Sequence, residues 1–215
     1  MRVFAVLAFI LTVLTLETHG PNVRAEHKSP KEIKVPAKVE EDLGKEAIAI
    51  LSGATKVEVF RLEKKILAKP GKNTIGADTL QFAITATGKE KDKEFAAKVR
   101  ALLFDEATRT LSGASGFRGD VAFRLSKEKE SVTVIVDFEG SQFMVVTRDA
   151  EAKQVGGAYG GFLFDAKGKL DKGGLFARVK ALAVEAFPDD ADIKALKKVE
   201  VEGTDLFTPP IKKKK

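Results

Sequence analysis

The sequence predicts an α+β fold: a single domain in which an antiparallel meander sheet packs against two long amphipathic helices plus shorter ones. Three observations predict it. Strand-like runs at 121–125, 132–138 and 142–148 are separated only by short polar turns, 126–130 and 139–141, so neighbours pair as hairpins with no room for a helix between them. Helical stripes lie before and after this block, as expected when helices cover one face of an antiparallel sheet. The stretch between two lysine- and proline-containing ends, 40–207, has the length of one domain and no repeat of solenoid period.

Taken in order, Glu40, Glu41 and Asp42 put negative charge at a helix N-terminus, and Leu43, Ala47, Ile50, Leu51 and Ala54 follow at helical spacing, with Gly53 marking the end. Residues 57–62 are β-branched and aromatic, and in 80–87 Leu80, Phe82, Ile84 and Ala86 alternate with Gln81, Ala83, Thr85 and Thr87, so both read as strands. Thr87 and Glu90 form a capping-box pattern ahead of Phe95, Val99, Leu102 and Leu103, which predicts the first long helix. A glycine-rich break at 113–119 precedes the three central strands, and 160–164 is expected to add a fourth before a turn at 165–168. Leu175, Val179, Leu182, Ala183 and Ala186 predict the second long helix, stopped by Pro188, and Asp190 caps a short one carrying Ile193 and Leu196. Leu102, Phe123, Val134 and Leu182 are the expected core.

The ends carry the charge. Arg2, the 14-residue apolar run 3–16 and the small residues Val23 and Ala25 read as a secretory signal over 1–25; the run is short of the ~20 residues a spanning helix needs. Residues 26–39 read as a basic, proline-containing linker and 208–215 as a disordered lysine-rich tail. Of the net +6, the leader holds +1, the linker +2 and Lys212, Lys213, Lys214 and Lys215 hold +4, which leaves −1 on the body. A body without a basic excess argues against nucleic acid as partner. The terminal lysines could hold the chain to an anionic surface or polysaccharide. A secreted, periplasmic or cell-envelope location is the expectation.

The segments Val121-Ala122-Phe123-Arg124-Leu125, Lys127-Glu128-Lys129-Glu130-Ser131-Val132 and 185–193, which reads EAFPDDADI, resemble those of a scattered group of uncharacterised, often secreted bacterial proteins, over about residues 57–198. That group has no established activity, so the resemblance implies a shared domain and no chemistry. Many of its members carry Cys-x-x-Cys where this chain has Asp137-Phe138-Glu139-Gly140, and a thiol or metal role there cannot operate here.

With no cysteine and only His19 and His27, the chain has no thiolate nucleophile and little for zinc or histidine-base mechanisms, and no metal set or cofactor is expected. Asp137 and Glu139, two apart on a strand, share a face; with Arg124 they form the one carboxylate cluster that could do acid–base work, against a reading as a solvated strand end. Gly156, Gly157, Tyr159, Gly160 and Gly161 could let backbone approach a ligand, so this run is the candidate binding loop, although it matches neither the phosphate-binding nor the dinucleotide-binding glycine pattern. Asp189, Asp190 and Asp192 read as helix caps, Ser115 lacks a base, and Arg118-Gly119-Asp120 is a tripeptide that occurs by chance. The balance favours a non-catalytic binding or structural module. The alternatives are a carboxylate-based enzyme and an inhibitor or partner-binding domain.

Overall fold

The computed structural model describes residues 34–67, 69–109, 116–162 and 174–197. The leader, the glycine-rich stretch at 113–115, the turn at 165–168 and the lysine tail lie outside them.

The first helical stripe is two helices, α1 (Ala37–Leu43) and α2 (Lys45–Gly53), rather than one, because Gly44 between them adopts φ 80° and ψ 158°, a backbone state open to glycine at little cost. α1 begins right after Pro36 and buries Val39 and Leu43, so the folded part starts inside the segment read as linker. After α2 come β1 (Lys56–Leu67), β2 (Thr74–Ala77), β3 (Leu80–Thr87), α3 (Lys93–Leu103) and a single 3-10 turn at Glu106–Arg109. β4 (Val121–Lys127), β5 (Glu130–Asp137), β6 (Gln142–Arg148) and β7 (Gln154–Gly161) follow, then α4 (Gly174–Ala186) and α5 (Ala191–Ala195). The cap of α3 is Asp92, not Thr87: its carboxylate accepts from the N–H groups of Glu94 and Phe95 and is held below the ordinary carboxylate range by them. Asp190 caps α5 through the N–H of Ile193, as its position suggested.

The seven strands among the described residues form one antiparallel sheet in the order β2-β3-β1-β4-β5-β6-β7, a mixed α+β arrangement with a meander through β4 to β7. α3 and α4, at 11 and 13 residues, are of ordinary length rather than long. The sheet curls. The β1–β3 ladder slips in register on both sides of Leu62, which bends β1 and carries the β2–β3 hairpin over the face of the meander. Its tip reaches the far edge: Arg148 Nη2 on β6 donates to the carbonyl of Gly76 at 3.0 Å, and the N–H of Asp78 donates to Gln154 Oε1 at 2.9 Å.

Alternation along the strands then serves two cores. Val57, Val59, Val121, Phe123, Leu125, Val132, Val134, Phe143 and Val145 face the helices and pack with the buried stripes of α2, α3 and α4. The other face, enclosed by the curl, holds Phe60, Leu62, Phe82, Ala122, Ile135, Met144 and Val146. Phe117, just ahead of β4, bridges this inner core by packing 5.8 Å from the ring of Phe82 and 6.2 Å from that of Tyr159. Near-continuous apolar sequence in β5 and β6 follows from burial on both faces. Among the described residues no helix is long and apolar enough to cross a membrane.

Candidate functional site

The carboxylates do not form a site with Arg124. Asp137 ends β5 and is 1% exposed. Its Oδ1 accepts from the N–H of Gly140 at 2.8 Å, and its Oδ2 accepts from the N–H of Arg118 at 3.1 Å and from Gln142 Nε2 at 3.0 Å. A carboxylate with both oxygens committed to N–H donors of the flanking chain shapes the β5–β6 turn and offers little to a substrate. Glu139, in the turn itself, is exposed and pairs with Arg118 at 3.3 Å and Lys64 at 3.8 Å. Arg124 lies well down the ladder, opposite Thr133, whereas Asp137 sits beyond the last β4–β5 pair, Val121 with Val136.

A residue the sequence reading had set aside completes this end of the sheet. Asp120 is buried, accepts from the N–H of Phe138 at 2.8 Å, and has Lys64 at 3.4 Å and Arg61 at 3.8 Å; Arg61 in turn holds Asp190 at 3.0 Å. The tripeptide Arg118-Gly119-Asp120 is therefore not displayed as a unit, since its carboxylate is inside. Burial pushes the Asp120 carboxyl above its ordinary value of 3.8; the Phe138 N–H, Lys64 and Arg61 offset this only in part, and Asp137 adds to it. A raised pKa in the folded state means that the native protein holds this proton more tightly, so this group's contribution to stability falls as pH rises from 3.8 through the folded value. Asp190 has the opposite sign: burial raises it, but the Ile193 N–H and Arg61 outweigh burial, so its contribution is lost only as pH falls below 3.8. Urea titrations above 3.8 will thus show the wild type gaining on Asp120→Asn as pH is lowered, and a pH-independent difference would remove Asp120 as the source.

The glycine-rich run is not a loop but the edge strand β7, paired residue by residue with β6. Its small residues have a packing reason. Gly156, Ala158 and Gly160 fall on the helix side, and a Cβ at Gly160 would run into the Phe143 ring and the carbonyl of Thr108 in the 3-10 turn. Tyr159, on the inner side opposite Met144, is half exposed and covers Phe117.

Where the β2–β3 hairpin crosses the meander, the curl leaves a cavity of about 300 Å³ beyond the inner apolar core. Its walls include Arg124 and Thr133 from the meander, Arg148 from β6, and Ile75, Gly76 and Gln81 from the hairpin. Gln81 and Thr133 are each 4% exposed. The Gln81 amide donates to the carbonyl of Ala77, which leaves its side-chain oxygen as an acceptor. Arg148 is fixed by the carbonyls of Ala152 and Gly76 and by Asp78 at 3.1 Å. Arg124 is held differently: its guanidinium stacks on the Phe60 ring at 5.0 Å and stands 3.5 Å from Glu58, with no hydrogen bond among the described residues. The β4–β5 register sets Arg124 opposite Thr133 on one face, but the bulges that fold the hairpin over them leave no local signal in the sequence. Among the described residues no three of His, Asp and Glu converge as metal ligands.

No protein-family model, curated protein or solved structure matches the chain.

Proposed function

We propose that this chain is a secreted or cell-envelope binding module without catalytic machinery, and that the cavity under the β2–β3 hairpin is its recognition site. One observation carries the reading: a two-thirds-buried guanidinium, stacked on Phe60 and ion-paired only with half-exposed Glu58 at 3.5 Å among the described residues, lines a cavity that also contains buried Gln81 and Thr133. A concave site with a few convergent polar groups on an apolar base is the usual form of a small-molecule pocket. At about 300 Å³ it stands at the small end of the ~300–1,000 Å³ that such pockets span. The carboxylate-based enzyme loses support because Asp137 is held by the N–H groups of Arg118 and Gly140, Asp120 by the Phe138 N–H with Lys64 and Arg61, and both lie away from Arg124. The shared segments with the scattered bacterial group fit a common domain of this kind, and the lysine tail remains a proposed electrostatic tether.

The test is retention of small molecules. The full chain is incubated with the solutes of its native extracellular medium, desalted and denatured, and the released compounds are identified by mass spectrometry, alongside Thr133→Phe, which fills the cavity, and Arg124→Gln. A compound held by the wild type and lost in both folded variants is the expected result. Equal retention by all three proteins would move recognition elsewhere.

A further inference from the structure

Building on that reading of the cavity, we infer that its ligand is a monocarboxylate on a single hydroxylated ring of the uronic-acid type, with the carboxylate seated on Arg124. The Arg124 guanidinium lies over Phe60 at 5.0 Å, so its face is spent on the ring while its edge keeps the planar fork of N–H donors that fits a carboxylate in bidentate fashion. Its one ionic neighbour among the described residues, Glu58, stands at 3.5 Å and is half exposed, a weak rim partner that a ligand carboxylate can displace. Arg148 supplies positive charge from the other wall, with both Nη2 hydrogens and one Nη1 hydrogen given to Gly76, Asp78 and Ala152, so it has fewer donors to offer than Arg124.

Charge then limits the ligand. Each arginine has a carboxylate beside it, Glu58 for Arg124 and Asp78 for Arg148, so the four groups sum to zero, a balance that tolerates one negative charge better than the two of a phosphate monoester. The remaining polar walls ask for hydroxyls. The Gln81 side-chain oxygen accepts, the Thr133 hydroxyl donates or accepts, and Asp78 on the rim accepts. Pro70 and Ile75 add an apolar wall on which the C–H face of a sugar ring can rest. The volume admits one ring, which leaves two sources: a free sugar acid or the terminal residue of an acidic polysaccharide.

The test follows backbone amide NMR shifts of the full chain on titration with galacturonate, trigalacturonate, galactose and inorganic phosphate. Galacturonate is expected to move the amides of Gly76, Gln81, Arg124, Thr133 and Arg148 saturably, galactose and phosphate are not, and Arg124→Gln is expected to weaken the binding about tenfold or more by removing a charge-assisted pair. Thr133→Val, nearly the same shape, should weaken it less and keeps the test informative if Arg124→Gln unfolds. Trigalacturonate bound at least as well as the monomer identifies a polysaccharide end; the monomer alone identifies a free acid. Tighter binding of phosphate, equal binding of galactose, or unchanged affinity in both variants overturns the carboxylate assignment while leaving the cavity as the site. Silence of the cavity amides toward every probe also overturns it, and only the failure of the retention experiment as well removes the site itself.

Discussion

Phe123→Ala will lower the unfolding free energy by about 3–5 kcal/mol, a large part of the ~5–15 kcal/mol that holds a typical domain together. Phe123 is the side chain through which β4 meets the helix layer: it is 1% exposed and packs edge-on against Phe95 of α3 at 5.6 Å. Its removal leaves a ring-sized gap between a central strand, held on both sides by β1 and β5, and a helix whose own stripe cannot follow it inward. The cost is the lost transfer free energy plus that of the residual cavity. Urea denaturation followed by circular dichroism measures it. A loss below about 1 kcal/mol would mean that the helix layer repacks and that this contact does not hold α3 to the sheet.

The second large effect falls on Asp137. Asp137→Ala will strip the acceptor from the N–H groups of Arg118 and Gly140 and from Gln142 Nε2. At about 1–3 kcal/mol for a buried group left unpaired, with Gln142 buried and the part-buried Arg118 and Gly140 N–H groups able to find water, the expected loss is about 2–4 kcal/mol. The binding of galacturonate by the folded variant should stay within about twofold of the wild type, because Asp137 lies outside the cavity that Arg124 and Thr133 line. A variant of unchanged stability that fails to bind would reverse the assignment and restore Asp137 to the functional site.

Much of the fold was legible because the rules that govern it are local. Alternation in 121–148 and the brevity of its turns force hairpins, and the stripes at Phe95, Val99 and Leu102 and at Leu175, Val179 and Leu182 need an apolar partner. Where the reading erred, one residue outweighed a pattern. Gly44 breaks a stripe that is continuous in apolar spacing, and Asp92 caps α3 closer to its first turn than Thr87 could. The run 156–161 looked like a loop because glycine is poor in strands, yet its pairing with β6 and the close approach of Thr108 favour small residues there.

The sequence by itself determined the class of fold, the sheet-forming segments and the residues that leave water, since periodicity and burial are properties of neighbouring residues. Only the tertiary structure decided what the face holding Arg124 and Thr133 encloses. The register slips around Leu62 turn β1, lay the β2–β3 hairpin across the meander, and bring Gly76 and Gln81 to Arg124 and Arg148 over separations of 72 residues in one of the contacts that close the curl. The same folding took Asp137 and Asp120 out of solvent, gave the oxygens of Asp137 to N–H donors, and set Asp120 between the Phe138 N–H and the Lys64 and Arg61 cations. Whether a carboxylate is a reagent or a strut, and whether an arginine is a surface charge or the wall of a pocket, depends on partners distant in the chain. Periodicity reports the face of a strand on which a side chain lies, and the bend of the sheet sets what lies opposite it.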